Sequence, residues 1–72
     1  MDIKTKIGNR ITALRKEKAL SQEALGFESN VNRTYINDLE NARKNVTMVV
    51  LERIIKGLGV TFSEFFKEGV DE

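Results

Sequence analysis

Isoleucine and leucine recur along the first seventeen residues at Ile3, Ile7, Ile11 and Leu14, the three- and four-residue spacing that gathers side chains on one face of a helix. Asp2 stands in front of this run as a cap for the first free amides, so the pattern predicts a helix over residues 3–17. The apolar spacing then shortens. Ser21 precedes Gln22, Glu23 and Ala24 and predicts a second, capped helix that turns Ala24 and Leu25 inward and ends near Glu28. Ser29, Asn30 and Val31 form the turn, with Asn30 suited to the left-handed conformation and Val31 plugging the angle between helices. Asn32 caps a third helix, Arg33 to Glu40, whose inward stripe is Ile36 and Leu39. Thr47 opens a fourth helix, with Met48, Leu51, Ile54, Ile55 and Leu58 expected inward and Gly57 and Gly59 bracketing its end. Thr61 and Glu64 have capping-box spacing for a fifth helix carrying Phe62, Phe65 and Phe66.

Five helices and short turns, with no proline and no low-complexity segment, predict an all-α single domain over residues 1–72 with a helix-turn-helix at residues 21–40. A chain of this length supports one core. With no cysteine and no histidine, disulfide and structural-zinc staples are excluded, as are Ser-His, Cys-His and zinc-hydroxide chemistry. No glycine-rich loop followed by Lys-Ser/Thr suggests a nucleotide site. The pairs Glu23 and Glu28, and Asp38 and Glu40, read as helix surface rather than catalytic acids. An enzyme is not expected, nor a cofactor, a metal or a small-molecule ligand. Without an apolar run of about 18 residues or a basic-then-apolar leader, the chain reads as soluble and cytoplasmic, with no membrane partner.

Net charge is +1, too little to argue a polyanionic partner from the total. Its distribution says more: residues 1–45 hold nine Lys/Arg against six Asp/Glu, residues 46–72 three against five. The basic surface belongs to the first part, where Lys4, Lys6, Lys16 and Lys18 form a solvated face able to steer DNA without reading it.

The segments IGNRITALRKEKALSQEALG, NRTYINDLENARKN and LERIIKGLGVTFSEFF resemble the Cro/C1-type helix-turn-helix domains of lambda-type phage repressors and small bacterial regulators. Within that family FESNVNRTYINDLENARKNVT is most similar to the controller proteins of restriction-modification systems. The resemblance implies a five-helix lambda-repressor-like fold. It also implies a homodimer on a near-palindromic operator that regulates its own gene and the adjoining endonuclease gene. By position it implies that Gln22 contacts a phosphate and braces the recognition helix, that Arg33 and Thr34 face the groove first, and that Tyr35 contacts the backbone. Arg43 then matches a loop residue near the DNA, and Asn37 and Asp38 fall on the groove side. The chain departs from the family pattern at Gly26, where alanine is common, and at Asn41 and Ala42, where glycine is; Asn41 is expected to take the left-handed cap.

Side-chain chemistry supports these assignments separately. The planar fork of Arg33 suits guanine O6 and N7, Thr34 offers a hydroxyl and a methyl, and Asn37 suits adenine. Asp38 either accepts from cytosine N4 or, as favoured here, orients Arg33. Gln22, Tyr35, Arg43 and Lys44 belong with phosphate contacts that set register; Arg33 has the alternative of pairing with Glu40. The aromatic tail bears on assembly: Val60, Phe62, Phe65 and Phe66, with Val70, exceed what one short helix hides, so a dimer interface is expected within residues 47–68. Such a dimer places two recognition helices about 34 Å apart. Occupancy over a promoter blocks RNA polymerase, whereas occupancy just upstream recruits it. The other readings are a phage-type or general bacterial repressor, a helical protein-interaction module, and a non-specific nucleoid binder.

Overall fold

Each helix start expected from the sequence has a geometric counterpart in a computed structural model of the protein, which describes residues 2–67. The elements are α1 Ile3–Glu17, α2 Gln22–Ser29, α3 Arg33–Glu40, α4 Met48–Gly57 and α5 Phe62–Phe65. Asp2, Ser21, Asn32, Thr47 and Thr61 accept from the backbone N–H of Thr5, Ala24, Thr34, Val50 and Glu64 respectively. Each bond satisfies an amide with no partner inside its helix. The Thr61 box is reciprocal, since Glu64 also accepts from the Thr61 amide.

Ile7, Ile11 and Leu14 of α1 meet Leu25, Ile36, Leu39, Ile54, Ile55, Leu58 and Phe65 in one core. Each such side chain, fully buried, stabilises the fold by about 1.5–3 kcal/mol before conformational entropy is set against it. The α2 helix packs on both α3 and α4, and α1 packs on α3. At Gly8 a Cβ would collide with the Leu39 carbonyl oxygen, so the bare backbone there lets α1 approach the end of α3. Gly26 lies in the same way against the Val31 carbonyl, closing the turn between α2 and α3.

That turn forms as expected: Asn30 is left-handed at φ 55°, and Val31 packs half-buried against the core. Three expectations change. Met48, at the first position of α4, is 88% exposed. Asn41 is not left-handed; Ala42 is, at φ 57°, as is Ala19 at φ 58° in the turn after α1. In both turns an alanine takes the conformation usually left to glycine. Phe65 is fully buried within the protomer while Phe62 and Phe66 stay exposed, so Phe65 is a core residue and not part of an outward surface. Arg10 ties α5 to α1: its Nε and Nη2 each donate at 2.6 Å, to the Phe65 and Glu64 carbonyls, satisfying the end of that helix. Val70 lies outside the described residues. No helix of the described residues is long and apolar enough to cross a membrane.

Candidate nucleic-acid interface

The α3 helix is anchored from behind before it is offered to solvent. Arg15 Nε donates to Glu40 Oε2 at 2.7 Å and Arg15 Nη2 to Glu40 Oε1 at 3.0 Å, while Arg15 Nη1 donates to the Leu20 carbonyl at 2.8 Å. One guanidinium thus joins α1, the following turn and the last residue of α3. Both partners are largely buried, with side chains 12% and 5% exposed. Burial alone would raise the Glu40 pKa, but hydrogen bonds from Arg15 and Gln22 and the Arg15 charge outweigh it and hold the carboxyl below its ordinary range. Glu40 is therefore the partner of Arg15, not of Arg33. Arg15 stands four residues after Ile11, and Glu40 four after Ile36. Charged residues in line with core positions were the signal available in the sequence.

The same carboxylate holds the start of α2, since Gln22 Nε2 donates to Glu40 Oε1 at 3.1 Å. Asn37 Nδ2 donates to Gln22 Oε1 at 3.2 Å, and Arg43 Nη1 to Asn37 Oδ1 at 3.2 Å. Asp38 turns toward the loop after α3, with Arg43 Nη1 at 3.6 Å and Lys44 Nζ at 3.7 Å. It does not orient Arg33, whose nearest carboxylate is Glu23 at 3.9 Å in a well-exposed pair; such a pair contributes little. Tyr35 steadies the loop from one side: its hydroxyl donates to the Asn45 carbonyl at 3.4 Å, and Lys44 Nζ sits 5.2 Å from its ring centre.

What remains free to meet a ligand is the first turn of α3. Arg33 and Thr34 are exposed, and they line an open cleft with Arg15, Ser21, Gln22 and Asn37. The partial positive charge of the α3 amino terminus points the same way. Arg43 and Lys44, both more than half exposed, extend the cationic surface past the other end of α3. Arg33, Thr34, Gln22 and Asn37 are thus brought to one cleft, and Tyr35, Asp38, Arg43 and Lys44 form a second cluster joined to it through the Asn37–Arg43 bond. A narrow helix with a donor fork at its tip and flanking cations has the chemistry to enter a DNA major groove between phosphate contacts.

Comparison with known proteins points the same way. The helix-turn-helix family pattern matches residues 11–65. The control protein C.MunI of a Mycoplasma species is 47% identical over 68 residues, covering 93% of this chain and 92% of that protein. The control protein C.BamHI of Bacillus amyloliquefaciens is 40% identical over 60 residues, covering 82% of this chain and 74% of that one. Among solved structures, the wild-type restriction-modification controller protein C.Esp1396I matches with a TM-score of 0.89 and 39% identity, over 93% of this chain and 88% of its own. That protein has also been crystallised as a tetramer in complex with its natural 35 base-pair operator.

Proposed function

Because the chain belongs to the Cro/C1-type helix-turn-helix family and is homologous to restriction-modification controllers, we propose that it acts as a homodimer on a near-palindromic operator upstream of its own gene. Sequence-specific DNA binding and a regulatory, non-enzymatic role come with that membership. The dimer, the operator and the target genes, its own and the adjoining endonuclease gene, are the proposal.

The observation that carries it is the exposed first turn of α3, braced from behind by the Arg15–Glu40 pair. In this reading Arg33 reads guanine and Thr34 the neighbouring base edge, with Asn37 and Asp38 on the same groove side. Gln22, Tyr35, Arg43 and Lys44 set register on the phosphates. Dimensions favour two copies: a protomer measures 30 × 23 × 21 Å, less than the roughly 34 Å turn that separates successive major-groove faces. Phe62 and Phe66, exposed beside the half-buried Val60, offer apolar surface for the two-fold contact. Occupancy would then exclude RNA polymerase from a promoter or recruit it from just upstream.

Fluorescence anisotropy tests the reading. At about 0.15 M salt, the protein should bind the duplex immediately upstream of its own gene well above a scrambled duplex of equal length. Arg33→Ala should cost about 1–3 kcal/mol of discrimination per bidentate contact. Equal binding to both duplexes refutes the autoregulatory reading, and an Arg33→Ala protein with undiminished preference removes Arg33 from the reading surface.

A further inference from the structure

We infer that Asn37 is a positioning residue, whose carboxamide holds Arg43 for its phosphate contact through a one-way chain of donors anchored at Glu40, instead of reading an adenine itself. This rests on the DNA-binding reading above and adds to it how the loop after α3 is aimed.

The sense of the chain is set from both ends. Glu40 carries only acceptors when ionised, so Gln22 must turn its nitrogen toward that carboxylate and its oxygen away. The Gln22 oxygen then accepts from Asn37 Nδ2, which leaves Asn37 Oδ1 facing outward. At the other end a guanidinium has only donors, and Arg43 Nη1 donates to that same Oδ1. Reversing either amide would set donor against donor at one end and acceptor against acceptor at the other. The backbone adds a further tie, because Asn41 Nδ2 donates to the Asn37 carbonyl at 2.8 Å just before the turn at Ala42 that presents Arg43.

An adenine reader needs its carboxamide oxygen for N6 and its nitrogen for N7. In Asn37 the oxygen edge is turned to Arg43 and the nitrogen edge to Gln22. Asp38 acts in the same direction from the next position, with its carboxylate 3.6 Å from the same Arg43 nitrogen. Two α3 side chains therefore converge on one exposed cation.

The test uses the full-length protein, the duplex upstream of its own gene, and a panel in which each base pair of that duplex is replaced in turn. Asn37→Ala should lower affinity about three- to tenfold, by a similar factor across the whole panel, as loss of hydrogen bonds to a charged group predicts. Arg43→Ala should weaken the salt dependence by about one phosphate contact, and adding Asn37→Ala to it should cost nothing more. A thermal melt shows that each variant is folded. In the free protein, Asn37→Ala and Gln22→Ala should each shift the Arg43 Nε–H resonance, a readout that needs no DNA. Two results overturn the inference: loss of preference at a single base pair of each half-site, or a full additional loss in the Arg43→Ala background with the Arg43 resonance unmoved in the single variants. If the wild-type protein fails to prefer the upstream duplex over a scrambled one, the DNA reading fails, and the free-protein resonances alone still uphold or overturn the chain from Gln22 to Arg43.

Discussion

Glu40→Gln is the substitution with the most to say about how α3 is held. It keeps the side-chain size and removes one charge from a pair whose members are 12% and 5% exposed. Two Arg15 bonds, at 2.7 and 3.0 Å, and the Gln22 bond at 3.1 Å converge on this carboxylate. Breaking one side of a buried pair costs about 3–5 kcal/mol, because the other charge is left uncompensated. Here the lower end applies, since Arg15 keeps the Leu20 carbonyl at 2.8 Å and part of its guanidinium reaches water. A loss of about 3 kcal/mol is large against the roughly 4–11 kcal/mol expected for a 72-residue domain, and corresponds to a fall in Tm of about 12–24 °C. Replacing both partners, Arg15→Met with Glu40→Leu, should restore most of the stability, because a buried pair is often matched by apolar residues of similar volume. Urea and thermal melts followed by circular dichroism, at one fixed protein concentration because dimerisation would shift the midpoint, compare the single and double variants. A Glu40→Gln loss below about 1 kcal/mol would refute the claim that this pair braces the helix. A double variant as unstable as the single would refute instead the attribution of the loss to an uncompensated Arg15 charge.

Acidification acts on the same pair: the Glu40 carboxyl is held below its ordinary value of 4.5, so its contribution is present above that pH and is lost as pH falls through the lower folded-state value. The capping carboxyls of Asp2 and Glu64 are lowered by the bonds they accept from Thr5 and Thr61 and act in the same direction. A Tm profile that stays flat from pH 6 to pH 3 would contradict this. Gly8→Ala should gain about 1 kcal/mol in helix propensity and lose more to the backbone collision with Leu39, for a net loss of about 1–2 kcal/mol in a urea melt; a stabilised variant would show that α1 and α3 can part at no cost. Phe62→Ser should shift sedimentation toward monomer while leaving the protomer folded, whereas Phe65→Ala should cost about 3–5 kcal/mol of stability. A dimer that Phe62→Ser does not weaken across a concentration series would remove this face from the interface.

Local rules written along the chain determined where the helices begin and turn. Ser21, Asn32, Thr47 and Thr61 each act through a bond to an amide two or three residues away, so their effect is legible without the rest of the molecule. Asn30 takes its left-handed turn for the same reason, and the core stripe from Ile7 to Leu58 follows from helical spacing. The exposed Thr34 was legible too, since it lies off the stripe defined by Ile36 and Leu39, whereas Arg33 stands three residues before Ile36 and is exposed because it opens α3. Tertiary structure alone decided which distant residues meet. Sequence spacing carries no information about a contact across 25 residues such as Arg15 with Glu40, nor about the 55 that separate Arg10 from Phe65. It likewise could not assign Asp38 to Arg43 and Lys44 instead of Arg33, because all three cations were within plausible reach of one carboxylate until the turn at Ala42 was known. Phe65 and Phe62 are three residues apart on one short helix, yet one is core and the other is exposed. Composition treats them alike, and only the docking of α5 under Arg10 separates them.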